Sequence, residues 1–124
     1  MGQGVEDRKF VKKRRVPRRA FVRNVGLLVS GKYVLGAGLE VGEGGMMIST
    51  DQTLAEGSYA LITFKLPNYE PTVVKAVVRY SLGKDEERAG WHKFGLEFIN
   101  LDFYAKREIR NYVASKSALE DKAA

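Results

Sequence analysis

A mainly β domain, built as a small barrel or sandwich of about six antiparallel strands with one C-terminal helix as its lid, is the fold this 124-residue sequence predicts. Three observations predict it. From Ala20 to Ile99, apolar side chains recur mostly at every second position, and turn residues interrupt the pattern at even spacing. After Asn100 the apolar period changes to three and four. The length suffices for one hydrophobic core, and with no Cys in the chain that core must hold without disulfides.

Residues 1–11 mix Gly, Gln and charge without periodicity and are expected to form a flexible arm. The folded domain is expected over residues 12–116. Lys12 to Arg19 is a basic run in which Pro17 pushes Val16 toward extended geometry and forbids a continuous helix. Phe21, Val25, Leu27 and Val29 give the first strand one apolar face, from Ala20 to Val29. Ser30-Gly31-Lys32 turns the chain into a second strand, Tyr33 to Val41. A tight turn there pairs residues whose numbers add to roughly 61–63, which places Arg18 and Arg19 opposite Gly42 to Gly45.

Met46 to Ser49 reads as a short third strand, and Asp51 to Gly57 as a loop. Ser58 to Leu66 alternates cleanly, with Ala60, Ile62, Phe64 and Leu66 on one face, and stops at Pro67-Asn68. Thr72 to Leu82 is β-branched and long, Gly83 to Arg88 is a polar tip, and Trp91 to Ile99 supplies the sixth strand. Asp102 is placed to cap a helix running to Ser115, whose Leu101, Ala105, Ile109, Tyr112 and Val113 form one apolar stripe. Residues 117–124 are expected to fray as a tail.

The net charge of +6 is concentrated at one end. Residues 1–23 hold nine Lys or Arg against Glu6 and Asp7, leaving the rest of the chain close to neutral. An anionic partner is implied. The hairpin register brings this cationic segment to Glu40-Val41-Gly42-Glu43-Gly44-Gly45, the only glycine-dense turn, where a ligand can approach backbone N–H groups closely.

Arg14-Arg15-Val16-Pro17-Arg18, the glycine turn running into Met46-Met47-Ile48, Phe94-Gly95-Leu96-Glu97-Phe98 and the final helix together resemble the PilZ domain family. The resemblance spans about Lys12 to Val113. It implies a six-stranded antiparallel β-barrel with a C-terminal α-helix that binds the bacterial second messenger cyclic di-GMP in the cytoplasm. The family's RxxxR motif falls on Arg14 and Arg18, with Arg15 and Arg19 at the same spacing. By that likeness the guanidinium groups clamp phosphate and cover a base, for which their planar forks are suited. In the family's second motif, (D/N)xSxxG, the acidic or amide position falls on Glu40 and the serine on Gly42, and only Gly45 matches outright. Ligand-binding residues are therefore expected at Arg14, Arg15, Arg18, Arg19, Glu40, Gly42 and Gly45. The expected partners are cyclic di-GMP and a protein effector that reads a change in the arm.

The departures at Glu40 and Gly42 support an alternative, a PilZ-like adaptor that docks a protein partner without the dinucleotide. Nonspecific nucleic-acid binding by the basic arm is a third reading, though no ladder of exposed aromatics accompanies it. No enzymatic function, cofactor or metal is expected. His92 has no metal-ligating neighbours at suitable spacing, Glu97 has no partner carboxylate, and no Lys-Ser or Lys-Thr follows the glycines as a phosphate-binding loop requires. No stretch has the length and apolarity of a membrane span, and no apolar segment follows the N-terminal charges as in a signal peptide.

Overall fold

The computed structural model describes residues 17–123, with side chains described as far as residue 115. Six antiparallel strands close into a barrel: β1 (Arg18–Val29), β2 (Lys32–Gly42), β3 (Gly45–Thr50), β4 (Tyr59–Phe64), β5 (Thr72–Lys84) and β6 (His92–Phe98). Around the barrel the order is β1-β2-β3-β6-β5-β4. One helix, α1 (Phe103–Ala123), follows.

Alternation in the sequence becomes inside and outside. Phe21, Val25, Leu27 and Val29 of β1 are buried, as are Ala60, Ile62 and Phe64 of β4, with Leu66 just beyond it. The long first hairpin turns on Ser30 and Gly31, both at positive φ (51° and 75°), the backbone that a two-residue turn between right-twisted strands needs. Val29 therefore faces Lys32, and the number sum is 61 along most of the pair.

One extra β1 residue between Ala20 and Arg23 then shifts the register. The sum falls to 60, just outside the expected 61–63, so Arg18 faces Gly42, still within the expected Gly42–Gly45 segment, while Arg19 faces Val41 and not the glycines. Bulges of this kind also interrupt β2 at its pairing with β3 and β5, twice, at its pairing with β6. Alternation breaks there: beyond Val78, consecutive β5 residues are exposed.

The helix closes one end of the barrel. Asp102 caps it, its Oδ1 accepting from the Ala105 N–H at 2.8 Å. Ala105, Ile109, Tyr112 and Val113 are buried in the same cluster as the strand interiors. Tyr112 meets Phe21 edge to face, ring centres 6.0 Å apart, and its hydroxyl donates to the Ala20 carbonyl at 3.0 Å. The helix also continues past Ser115 to Ala123, where fraying was expected. Leu119, Glu120, Lys122 and the alanines are good helix formers, and no Gly or Pro stops the run.

Candidate functional site

Arg18 opens β1 directly opposite Gly42, and Glu40 lies two residues earlier on the facing strand. Residues two apart on a strand share a face, so Arg18 and Glu40 are diagonal neighbours on the outside of the barrel. They form an ion pair, Arg18 NH1 to Glu40 Oε1 at 3.3 Å, with both side chains more than a third exposed. The pair stands at one wall of an open groove of about 740 Å³. Gly42, Gly44, Gly45 and Met47 line the groove nearby, and Tyr80, Gly95, Glu97 and Arg79 line it farther round the barrel.

The glycines serve the site differently from the expectation. None of Gly42, Gly44 and Gly45 is among the positive-φ residues. Gly42 is needed for closeness: a Cβ there would lie 2.7 Å from the Pro17 carbonyl oxygen and 3.1 Å from Arg18 Cγ. At Gly45 a Cβ would come within 2.1 Å of the Leu96 carbonyl, so the missing side chain lets β6 pack on β3. Gly44 has open space around its Cα and leaves the turn uncovered.

Of the other expected site residues, Arg14 and Arg15 lie outside the described residues. Arg19 does not join the groove. Its guanidinium stacks on the Tyr112 ring, 3.7 Å from the centroid, and NH1 donates to the Tyr112 carbonyl at 3.0 Å. Its position next to Arg18 on an alternating strand sends it to the helix side. Arg19 thus ties the start of β1 to α1.

A second tie joins the glycine turn to the same helix. Arg110 donates two hydrogen bonds to Glu43, Nε to Oε2 and NH2 to Oε1, each 3.0 Å. The Arg110 hydrogen bonds hold the Glu43 carboxyl below its ordinary pKa, and Glu43 in turn raises that of Arg110.

At the other end of the barrel, Asp85 is a buried carboxylate in the tip that the sequence marks only as polar. Ser49 Oγ donates to it at 2.6 Å, the Glu87 N–H donates to its other oxygen at 3.0 Å, and Arg88 lies at 3.4 Å. The Ser49 bond is the largest of the causes that lower its pKa. This cluster fastens the β5–β6 tip to β3. It reads as structural.

Arg79, Tyr80 and Glu97 are groove residues that sequence reasoning did not select. Glu97 was legible as outward-facing from the buried Leu96 and Phe98 on either side. Arg79 and Tyr80 were hidden by the β5 bulge, because alternation cannot put two consecutive residues outside. Among the described residues no His, Asp and Glu group is arranged to hold a metal, and no helix is long and apolar enough to cross a membrane.

Fold and groove together define a small helix-capped antiparallel β-barrel domain with an open groove lined by glycines, Tyr80 and two guanidinium–carboxylate pairs. The sequence pattern of the PilZ domain matches residues 12–115, and the chain belongs to that family. Among solved structures, it is similar to the inhibitor of motility MotI/DgrA of Bacillus subtilis, with 16% identity, TM-score 0.73, and coverage of 84% of this chain and 51% of that one. The PilZ domain of Escherichia coli YcgR with c-di-GMP aligns at 13% identity and TM-score 0.71, over 90% of this chain and 97% of that one. The Klebsiella pneumoniae MrkH–c-di-GMP complex aligns at 14% identity and TM-score 0.68, over 89% and 55%. The chain thus spans about half the length of MotI/DgrA and MrkH. No curated protein sequence matches it.

Proposed function

We propose that this chain is a non-enzymatic cyclic di-GMP receptor of a bacterial cytoplasm, with Arg18 and Glu40 as its central contacts. The observation that carries the reading is the Arg18–Glu40 pair at one wall of a groove that three glycines of the β2–β3 turn also line. An exposed pair of this kind contributes only ~0–1 kcal/mol, so it is readily exchanged for better partners. A ligand phosphate takes the Arg18 guanidinium by charge-assisted hydrogen bonds, and Glu40, released, accepts from guanine N1–H and N2–H. Arg14, at the other end of RxxxR, and Arg15 add phosphate contacts. Binding rearranges the basic arm, and a protein effector reads the new surface. The c-di-GMP in the YcgR and MrkH structures supports the choice of ligand.

Gly42 favours a second reading, the protein-docking adaptor. The serine hydroxyl of the family motif is absent there, and the Pro17 carbonyl occupies the space beside it. A lost hydrogen bond costs ~0.5–1.5 kcal/mol, or about tenfold in affinity, which weakens binding without abolishing it. Isothermal titration with cyclic di-GMP, with GTP as charge control, decides between them. Selective heat with saturable stoichiometry is the expected result. No heat with cyclic di-GMP, or equal heat with GTP, discards the receptor in favour of the adaptor.

A further inference from the structure

Across the barrel from the groove, around β1 and β4, the outer wall is apolar. Pairing registers set out two rows on it. Tyr33 of β2 faces Leu28 of β1, Leu28 faces Leu61 of β4, and Leu61 faces Lys75 of β5. Two residues along each strand, Leu35 faces Gly26, Gly26 faces Thr63, and Thr63 faces Val73. Lys75 is the one charge among these eight positions, which sets this wall apart from an ordinary solvated face.

These side chains are open as well as apolar. Tyr33 and Leu35 are each 66% exposed and Val73 61%, and Leu28, Leu61 and Tyr59, two residues before Leu61 on the same face, are exposed too. Tyr33 leans along the wall, because a Cβ on Gly26 would run into its hydroxyl. Together these six side chains leave roughly 700 Å² uncovered, above the ~300–600 Å² of the largest apolar patch on a typical monomer and near the ~800 Å² that each partner gives to a standard interface.

We propose that this wall binds a second copy of the chain, with a two-fold axis running along the strands between β1 and β4. A two-fold contact presses a surface against itself, so charge at its centre would repel its own image. Leu28 and Leu61, at the centre, carry none. The axis keeps each row on its own image and exchanges the strands, which sets Leu28 of each copy on Leu61 of the other, Leu35 on Val73, and Lys75 on Tyr33. The single charge thereby meets an aromatic face and not another lysine. A closed barrel is convex, and the residues at the two ends of the first row, Tyr33 and Lys75, are the long ones that reach across the widening gap. Both grooves point away from the contact, so the inference is independent of what they bind.

The test is sedimentation equilibrium of the full chain from about 1 μM to 1 mM, for the parent and Leu61→Glu, with thermal melting of each. The parent is expected to pass from monomer to dimer over this range, its melting midpoint rising with concentration. Leu61→Glu should weaken the dimer by about tenfold or more, because each half then buries an unpaired carboxylate. The chain has no cysteine of its own, so Leu28→Cys and Leu61→Cys, mixed and oxidised, report the axis directly. A disulfide joining one variant to the other is the expected product. A parent that stays monomeric throughout overturns the proposal and leaves the wall to a different partner, and a dimer that Leu61→Glu leaves at parent strength overturns it as well. If Leu61→Glu fails to fold, the cysteine mixture decides: links only between like variants, or none, sink the two-fold contact.

Discussion

Arg18 and Arg19 are consecutive on β1 and serve opposite sides of the barrel. Arg18 pairs with Glu40 in the groove at 3.3 Å, whereas Arg19 lies 3.7 Å over the Tyr112 ring of α1. One peptide unit therefore separates the groove from the helix. Arg18→Ala is expected to lower cyclic di-GMP affinity by about 10- to 100-fold, the worth of charged hydrogen bonds, with little change in melting midpoint. Arg19→Ala should do the reverse, losing about 1–3 kcal/mol of stability with a cation–π contact and a charged hydrogen bond. Titration and chemical denaturation of both variants check this, and equal affinity losses would refute the division of labour.

Restoring the family's serine should not restore the family's contact. In Gly42→Ser the new Cβ meets the Pro17 carbonyl oxygen at 2.7 Å, so the start of β1 must lift away from β2. The expected outcome is a stability loss of about 1–3 kcal/mol and no gain in dinucleotide affinity. Tighter binding in a titration of this variant would show that β1 yields easily.

Gly45→Ala should be more damaging, because the 2.1 Å approach is to the Leu96 backbone, which cannot rotate aside. A loss of about 3 kcal/mol or more is expected, comparable to that of Ile109→Ala, which empties a site 1% exposed between helix and barrel. Urea denaturation measures both.

Acid should loosen the β5–β6 tip first. The folded-state pKa of Asp85 lies below its ordinary value of 3.8, chiefly through Ser49, so its contribution is fully present above that value. It disappears as pH falls through the lower folded value. Glu43 adds a contribution of the same sign through Arg110. The parent's melting midpoint should therefore fall more steeply below about pH 4 than that of Asp85→Asn. Superimposable pH profiles would remove Asp85 from this account.

The fold was largely legible because period-two alternation reports which side of a sheet is buried, and Phe21, Val25, Ile62 and Phe64 obey it. The helix stripe from Ala105 to Val113 was legible for the same reason at its own period. One geometric relation of the candidate site was legible to within a residue: hairpin arithmetic carries Arg18 to the glycine-rich segment, where the bulge then sets it against Gly42. The fate of Arg19 was not, since it depends on a bulge and on a tyrosine 93 positions away. Arg79 and Tyr80 were missed for a related reason, an irregularity in pairing that leaves no mark in the hydrophobic pattern. Asp85 sits in a polar tip, and only the pairing of β6 with β3, which sets Ser49 opposite Lys93, reveals that Ser49 waits for it.

Each of the six strands is hydrogen-bonded on both flanks, β1 to β2 and β4, and so on round the ring. Free backbone donors and acceptors for another polypeptide to zip onto are left, within the described strands, where pairing runs out, as on β1 before Gly26 and on β5 beyond Val77. Recognition by strand addition, common among open sheets, is confined here to such short stretches. Over the rest of the barrel the readable surface is one of side chains, on the outer walls and on the helix that Arg19 and Arg110 tie to the start of β1 and to the glycine turn.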